Sequence, residues 1–203
     1  LHETPTGSFG AFMGFSTGDA LFGGFNITEK NFNILGLNPR VMKEVGPRGL
    51  KGGGEFAHFT TTVGQKTNTM VLSWTKPYFL DTPWSIGCEL ERSSNGSMAQ
   101  DYEILSHTGS FHLRRGLNAF VSLGTHYRLR NSSVHSSQNA KEKSPLLAED
   151  SGNKGWVSGS GFSIIYNSTN HPLKPTNGFR SRIDGEFVGL GGDYHFFSFS
   201  YVN

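Results

Sequence analysis

The sequence predicts an all-β chain and favours a transmembrane antiparallel up-and-down β-barrel over a soluble β-sandwich. Three observations carry this. Apolar residues recur at every second position, with turn residues between the runs and almost no helical period. Two runs, Gln100–Leu113 and Leu117–Arg130, are more than twice as long as the usual soluble strand of about 5–6 residues. A polar face also accompanies the clearest runs, as a wet lumen would demand of nearly every strand.

The chain divides into ten expected strands. Phe9, Ala11, Met13 and Phe15 share one face of the first, and Leu21, Gly23, Phe25 and Ile27 one face of the second. A loop of about twenty residues, Asn31 to Gly49, follows, with Pro39 and Pro47 marking it as non-strand. The third run, Lys51 to Val63, is glycine-rich at its start, and Met70, Leu72 and Trp74 form the fourth. In the fifth, Trp84, Ile86, Cys88 and Leu90 alternate with Ser85, Gly87, Glu89 and Glu91. The sixth and seventh are the two long runs, the seventh setting Val121, Leu123, Tyr127 and Leu129 against Ser122, His126, Arg128 and Arg130. Trp156–Tyr166 is the eighth. In Phe179–Gly189, the ninth, Ile183 and Phe187 oppose Arg180, Arg182, Asp184 and Glu186, and His195–Tyr201 closes the series.

The connections alternate in character. Gly18-Asp19, Gly64-Gln65-Lys66, Ser93–Ser97, Asn131–Gly155 and Gly189–Asp193 read as polar or Gly-rich turns, while Asp81-Thr82-Pro83, Arg115-Gly116 and Asn170–Gly178 are mostly compact. Aromatics gather near run ends, at Tyr78-Phe79, Trp84, Trp156, Tyr166, Tyr194 and Tyr201, in the manner of interfacial girdles.

Composition excludes several classes. A single cysteine, Cys88, rules out a disulfide-stapled fold and a thiolate zinc site, and its place on an apolar face suits a small hydrophobe. A formal net charge of +2 gives no nucleic-acid footprint. No apolar stretch reaches the roughly 18 residues of a spanning helix, which leaves a β-barrel open because a strand crosses with only about 9–11 alternating residues.

Candidate chemistry is thin. The eight histidines include no i, i+4 pair with a glutamate, so no helical metal motif is present. Ser158-Gly159-Ser160-Gly161 lies in a β-pattern and reads as a close backbone approach rather than a nucleophile elbow. Gly52-Gly53-Gly54 lacks the Lys-Ser/Thr ending of a phosphate loop and reads as a bend or bulge. The sequons at Asn26, Asn95, Asn131 and Asn167 carry meaning only in a eukaryotic secretory pathway. Arg180, Arg182, Asp184 and Glu186 are expected to pair with one another on an inner wall, ahead of lining an ion path.

Several segments together resemble the barrel of the BamA family of bacterial outer-membrane protein assembly factors and its relatives in mitochondria, chloroplasts and two-partner secretion. Thr6 to Ser16 with Gly18 to Phe25 resembles that family's first barrel hairpin, and Glu29-Lys30-Asn31-Phe32 to Leu35-Gly36 its acidic/Asn-aromatic-Leu-Gly turn. Trp74-Thr75-Lys76-Pro77-Tyr78-Phe79-Leu80 is similar to its Thr-x-Pro-Tyr-Phe segment. Ser163 to Phe179, ending in Gly189-Leu190-Gly191-Gly192-Asp193, resembles the family's Tyr-Asp-x-x-x-x-Pro-x-x-Pro-Thr-x-Gly block, with Asn167 in place of Asp and Asn177 in place of Arg.

The resemblance implies that residues 1–203 are the N-terminal part of an outer-membrane barrel domain, about ten strands of sixteen, without the family's POTRA domains, its C-terminal strands or its Val-Arg-Gly-Phe motif. It implies a non-enzymatic protein with no cofactor and no metal, in the bacterial outer membrane rather than an organellar one. The implied partners are the lipid bilayer, nascent outer-membrane barrels and accessory lipoproteins of an assembly complex, with no nucleic acid. Its function would be to insert barrels by offering an edge strand at a lateral seam. That edge would be Gly7, Ser8, Phe9, Gly10, Ala11, Phe12, Met13, Gly14 and Phe15, in which Gly7, Gly10 and Gly14 weaken the strand's pairing or relieve crowding in a curved wall. Pro172, Pro175, Thr176 and Gly178 would form the motif turn. A related translocation pore, a diffusion porin and a soluble β-sandwich binding module are the alternatives.

Overall fold

The computed structural model describes residues 5–16, 20–97, 102–136, 154–170 and 176–203. Among these described residues ten strands form one antiparallel sheet in strict sequence order, β1 to β10. They are β1 (Gly7–Ser16), β2 (Ala20–Phe32), β3 (Glu55–Gly64), β4 (Thr67–Lys76), β5 (Trp84–Ser97), β6 (Tyr102–Gly116), β7 (Val121–Ser136), β8 (Lys154–Asn167), β9 (Arg180–Val188) and β10 (Phe196–Val202). A sandwich would need a second sheet facing the first, and all ten strands lie in one. β1 and β10 are its two edges and do not pair with each other, so the wall is a partial barrel.

The polarity of this wall is inverted relative to a water-soluble domain. Among the described residues Val188 is the one fully buried hydrophobic side chain, whereas Glu55, Ser93, Ser106, Ser133, Ser158 and Ser163 are buried polar ones. The outward face instead displays the apolar residues: Phe9, Met13 and Phe15 are 71%, 83% and 84% exposed, and Leu72, Leu90, Phe111, Tyr127, Phe162 and Phe199 continue the surface from strand to strand. A contiguous apolar exterior of this extent, with a polar opposite face, is the pattern of a wall set in lipid. Along β8, Trp156 and Tyr166 bound the apolar stretch. Their separation is about 33 Å of strand, which a tilt of about 40° converts to about 25 Å of depth, the height of a barrel's apolar band.

Several boundaries differ from the sequence expectation, each for a local reason. β3 starts at Glu55 rather than Lys51, because Gly52 and Gly54 take positive φ of 96° and 64° and leave Lys51 only an isolated bridge to Phe32. Ser93–Ser97 is the end of β5, not a turn, since the β6 ladder continues to Ser97 opposite Tyr102. β7 starts at Val121, not Leu117, because the Asn118 side chain accepts from the backbone N–H of Phe120 and Val121, both at 2.8 Å, and closes an Asx turn. It then runs on to Ser136, and β8 begins at Lys154, so both ends of the expected Asn131–Gly155 turn are strand. All four sequon asparagines lie in strands.

The Asn31–Gly49 loop carries unexpected helix: a 3-10 turn at Ile34–Leu37, a helix at Pro39–Val45 and a second 3-10 turn at Gly46–Leu50. Its asparagines explain it. Asn33 Oδ1 accepts from Leu35 N and Asn38 Oδ1 from Arg40 N, with Pro39 at the first helical position. Gly36 is required by contact, since a Cβ there would lie 2.1 Å from the Gly49 carbonyl oxygen.

Candidate functional site

In an up-and-down sheet every second connection falls at the same end. The segments 33–54, 77–83, 117–120, 168–170 and 176–179 therefore form one rim, and this rim, the edge strand and the inner face hold the polar structure of the wall.

The expected edge residues form β1. Phe9, Ala11, Met13 and Phe15 face outward, paired with Ile27, Phe25, Gly23 and Leu21 of β2. Ser8, Gly10, Phe12 and Gly14 face inward, and Gly7 shares the outward parity. The inner glycines lie beneath side chains of β2: a Cβ on Gly10 would be 2.7 Å from Asn26 Oδ1, and one on Gly14 2.8 Å from the Phe22 ring. Phe12 in turn covers Gly24, whose own Cβ would meet the Phe12 ring at 2.8 Å. The β1–β2 hairpin is thus knitted by aromatic rings laid over glycines. Among the described residues no strand pairs with the other edge of β1.

At the rim Glu55 is the centre of a latch that the sequence reading missed. It is 1% exposed, and it accepts from Ile34 N at 2.7 Å, Trp74 Nε1 at 2.9 Å and Lys76 Nζ at 3.0 Å. One carboxylate thereby ties the helical segment to β3 and β4. The only sequence signal was its place after Gly52-Gly53-Gly54, which turns the chain back so that Glu55 can reach under the segment.

The motif turn lies on the same rim. Asn170 joins its two sides, its Oδ1 accepting from Thr176 N at 3.1 Å and Asn177 N at 3.2 Å while its Nδ2 donates to Thr176 Oγ1 at 2.7 Å. Gly178 has φ 112°, and a Cβ there would sit 2.4 Å from the Ser168 carbonyl oxygen. Thr176 and Gly178 therefore have structural work in this turn. Pro172 and Pro175 lie outside the described residues.

On the inner face one register row reads Gly87, His112, His126, Gly161, Glu186 and Ser198 across β5 to β10. Glu186 does not pair with an arginine of its own strand, as the alternation suggested. Its partner is Arg128 of β7, whose Nη2 donates to Oε2 at 2.9 Å and lies 2.8 Å from Oε1. His126 Nε2 lies 3.9 Å away from the same carboxylate. These side chains reach over β8 because Gly159 and Gly161 present no side chain there, which is the close approach expected of the Ser-Gly-Ser-Gly run. Arg182 and Asp184 do pair within β9, at 2.6 Å. A Gly161→Val variant should break the Arg128–Glu186 bridge, since its Cβ would lie 2.5 Å from the His126 ring and 2.7 Å from the Gly185 carbonyl oxygen. Overpacking of this kind costs about 1–3 kcal/mol. The check is the urea midpoint of the folded protein, and an unchanged midpoint would rule out the packing argument.

Among the described residues no three His, Cys, Asp or Glu side chains come together as a metal cradle. The site offers hydrogen-bonding backbone at an edge, a tied rim and a charged inner wall.

Comparison with known proteins agrees with this architecture. The model of the Omp85 superfamily domain matches residues 50–202. Among curated proteins none matches the chain in sequence. The fold is similar to that of BamA from Haemophilus ducreyi lacking POTRA domains 1-3, with a TM-score of 0.66 and 19% identity over 94% of this chain. The chain spans 35% of the length of that structure's chain.

Proposed function

Because this chain belongs to the Omp85 superfamily, we propose that residues 1–203 are the N-terminal part of an outer-membrane β-barrel domain that inserts and assembles other β-barrel proteins, with β1 as the strand on which a client pairs. The observation that carries the proposal is the glycine-thinned inner side of β1, where a Cβ on Gly10 or Gly14 would meet Asn26 or Phe22 of β2, beneath an outward face of Phe9, Met13 and Phe15.

In hydrocarbon every unpaired backbone N–H or C=O costs several kcal/mol, so a nascent strand cannot enter alone. An edge already held in lipid by Phe9, Met13 and Phe15 supplies partners one residue at a time by strand addition. Gly10 and Gly14 let the edge bend, because its inner side is filled by Asn26 and Phe22 rather than by its own side chains. The role is templating, with no covalent chemistry and no cofactor. Its partners are nascent barrels, the surrounding lipid and accessory lipoproteins of an assembly complex, in the bacterial outer membrane.

The test is disulfide trapping in the full-length protein with Cys88→Ser as background. A cysteine at Phe9 or Met13 should crosslink to the terminal strand of a client barrel during assembly, at positions two residues apart along β1. A Phe9→Cys, Ile27→Cys pair, which is in register within the hairpin, serves as the positive control. Absence of client crosslinks at every position from Gly7 to Phe15, with the control formed, would sink the proposal. Depletion separates it from a translocation role: many barrels lost supports assembly, whereas one secreted protein lost overturns it.

A further inference from the structure

The outward face is not evenly filled. Between β4 and β8 it holds a groove of about 430 Å³ whose walls are Met70, Leu72, Leu90 and Leu129. Its floor is Gly109, which falls in one register row with Leu72, Leu90 and Leu129. A Cβ at Gly109 would meet only Leu90 Cδ2, at 3.6 Å, an ordinary contact. The backbone there does not require glycine, and the missing side chain is what leaves the space.

The next register row, two residues nearer the strand ends, changes chemistry to Arg92, His107 and Asn131, with Trp156 beside them. Arg92 stands eight residues along β5 from Trp84. That is about 26 Å of strand, which carries Arg92 most of the way across an apolar band about 25 Å tall. A second concavity, of about 450 Å³, begins at the same Met70 and Arg92 and continues away from the rim, toward the opposite end of the wall, past Asn68, Ser94 and Glu103. Arg92 enters none of the ion pairs among the described residues. Glu103 accepts from Ser94 Oγ through Oε1, and Oε2 enters no hydrogen bond among the described residues. His107 and His135 are the other titratable groups at these two concavities on the outward side.

We propose that the two concavities are one binding site for a zwitterionic aminophospholipid, with an acyl chain over Gly109, the phosphate at Arg92 and the ammonium at Glu103. A strip of apolar wall followed by a cation and then an anion, in that order from the middle of the face to its end, complements the chain, phosphate and amine of such a lipid. A guanidinium holds phosphate through two parallel N–H donors, and a tryptophan beside it suits the interface. The occupant is a single lipid rather than a protein helix, because the apolar groove is one glycine wide between Leu90 and Leu129. The inference needs only that the outward face lies in lipid, and it is independent of strand templating.

The experiment is native mass spectrometry of the full-length protein released from a neutral detergent and titrated with phosphatidylethanolamine, phosphatidylglycerol or lipid A. Heat-shifted gel mobility of the same samples reports that the barrel is folded. The wild type should retain one phosphatidylethanolamine in preference to the other two. Gly109→Phe, which fills the groove, should weaken retention at least tenfold, as should Arg92→Gln on the exposed surface. Glu103→Gln should abolish the preference over phosphatidylglycerol while keeping the adduct. Equal retention by wild type, Gly109→Phe and Arg92→Gln overturns the site. Stronger retention of lipid A or phosphatidylglycerol by the wild type overturns the assignment of the occupant. A protein that is not heat-modifiable would overturn the membrane placement itself.

Discussion

A Phe162→Arg substitution should destabilise the folded barrel by about 2–4 kcal/mol, the cost of an arginine on the lipid face near the bilayer midplane. Phe162 stands six residues from Trp156 and four from Tyr166 on β8, so it is near the middle of the apolar band. Its ring also covers Gly185 of β9, where a Cβ would lie 2.6 Å from Phe162 Cε1. Arginine loses that cover and brings a charge that the backbone of neither strand can satisfy. Phe162→Leu keeps an apolar side chain and should stay within about 1.5 kcal/mol, the range of volume-conserving apolar exchanges. Urea unfolding of the full-length protein in bilayers, followed by heat-shifted gel mobility, measures both. Equal midpoints for the two variants would show that Phe162 does not face lipid.

The second large effect is expected at the rim. Glu55→Ala strands three donors at once, the Ile34 and Trp74 N–H groups and the Lys76 ammonium. Each buried donor without an acceptor costs about 1–3 kcal/mol, and Lys76, about one third exposed, recovers part of its loss from water. The net is about 3 kcal/mol, concentrated on the docking of the helical segment. Glu55→Gln keeps a carbonyl oxygen for Ile34 and Trp74 but turns an amide toward Lys76, and should cost about 1 kcal/mol. Trypsin reads the difference, because Arg40, Lys43 and Arg48 all lie in that segment. Cleavage there should accelerate at least tenfold in Glu55→Ala and only slightly in Glu55→Gln. Unchanged cleavage in Glu55→Ala would mean that the segment is held by something other than this carboxylate.

These two residues differ in how far the sequence discloses them. Phe162 is visible in one dimension: a period of two puts it on a face with Ile164 and Tyr166, and that pattern suffices to say that the face is apolar. The same holds for Phe9, Met13 and Phe15, and for the division of the chain into ten strands. Glu55 is not visible, because its role rests on a loop partner 21 residues earlier and on two side chains of the next strand. The helical segment is hidden in the sequence for a related reason. At seven residues its helix is too short to establish a period, and its signals are the Asn caps and Pro39 alone.

The sequence by itself determined the strand count, the faces of its clearest strands and the resemblance of its motifs, since all three are properties of spacing along the chain. Tertiary structure alone decided which distant residues meet. The Arg128–Glu186 bridge spans 58 residues and exists because β8 carries glycine on its inner face, so that side chains of β7 and β9 can touch across it. The groove at Gly109 likewise depends on the leucines of β5 and β7 flanking it in one register row. Register is set by the summed pairing of whole strands, and a shift of one residue would turn every side chain to the opposite face, so no local pattern encodes such contacts.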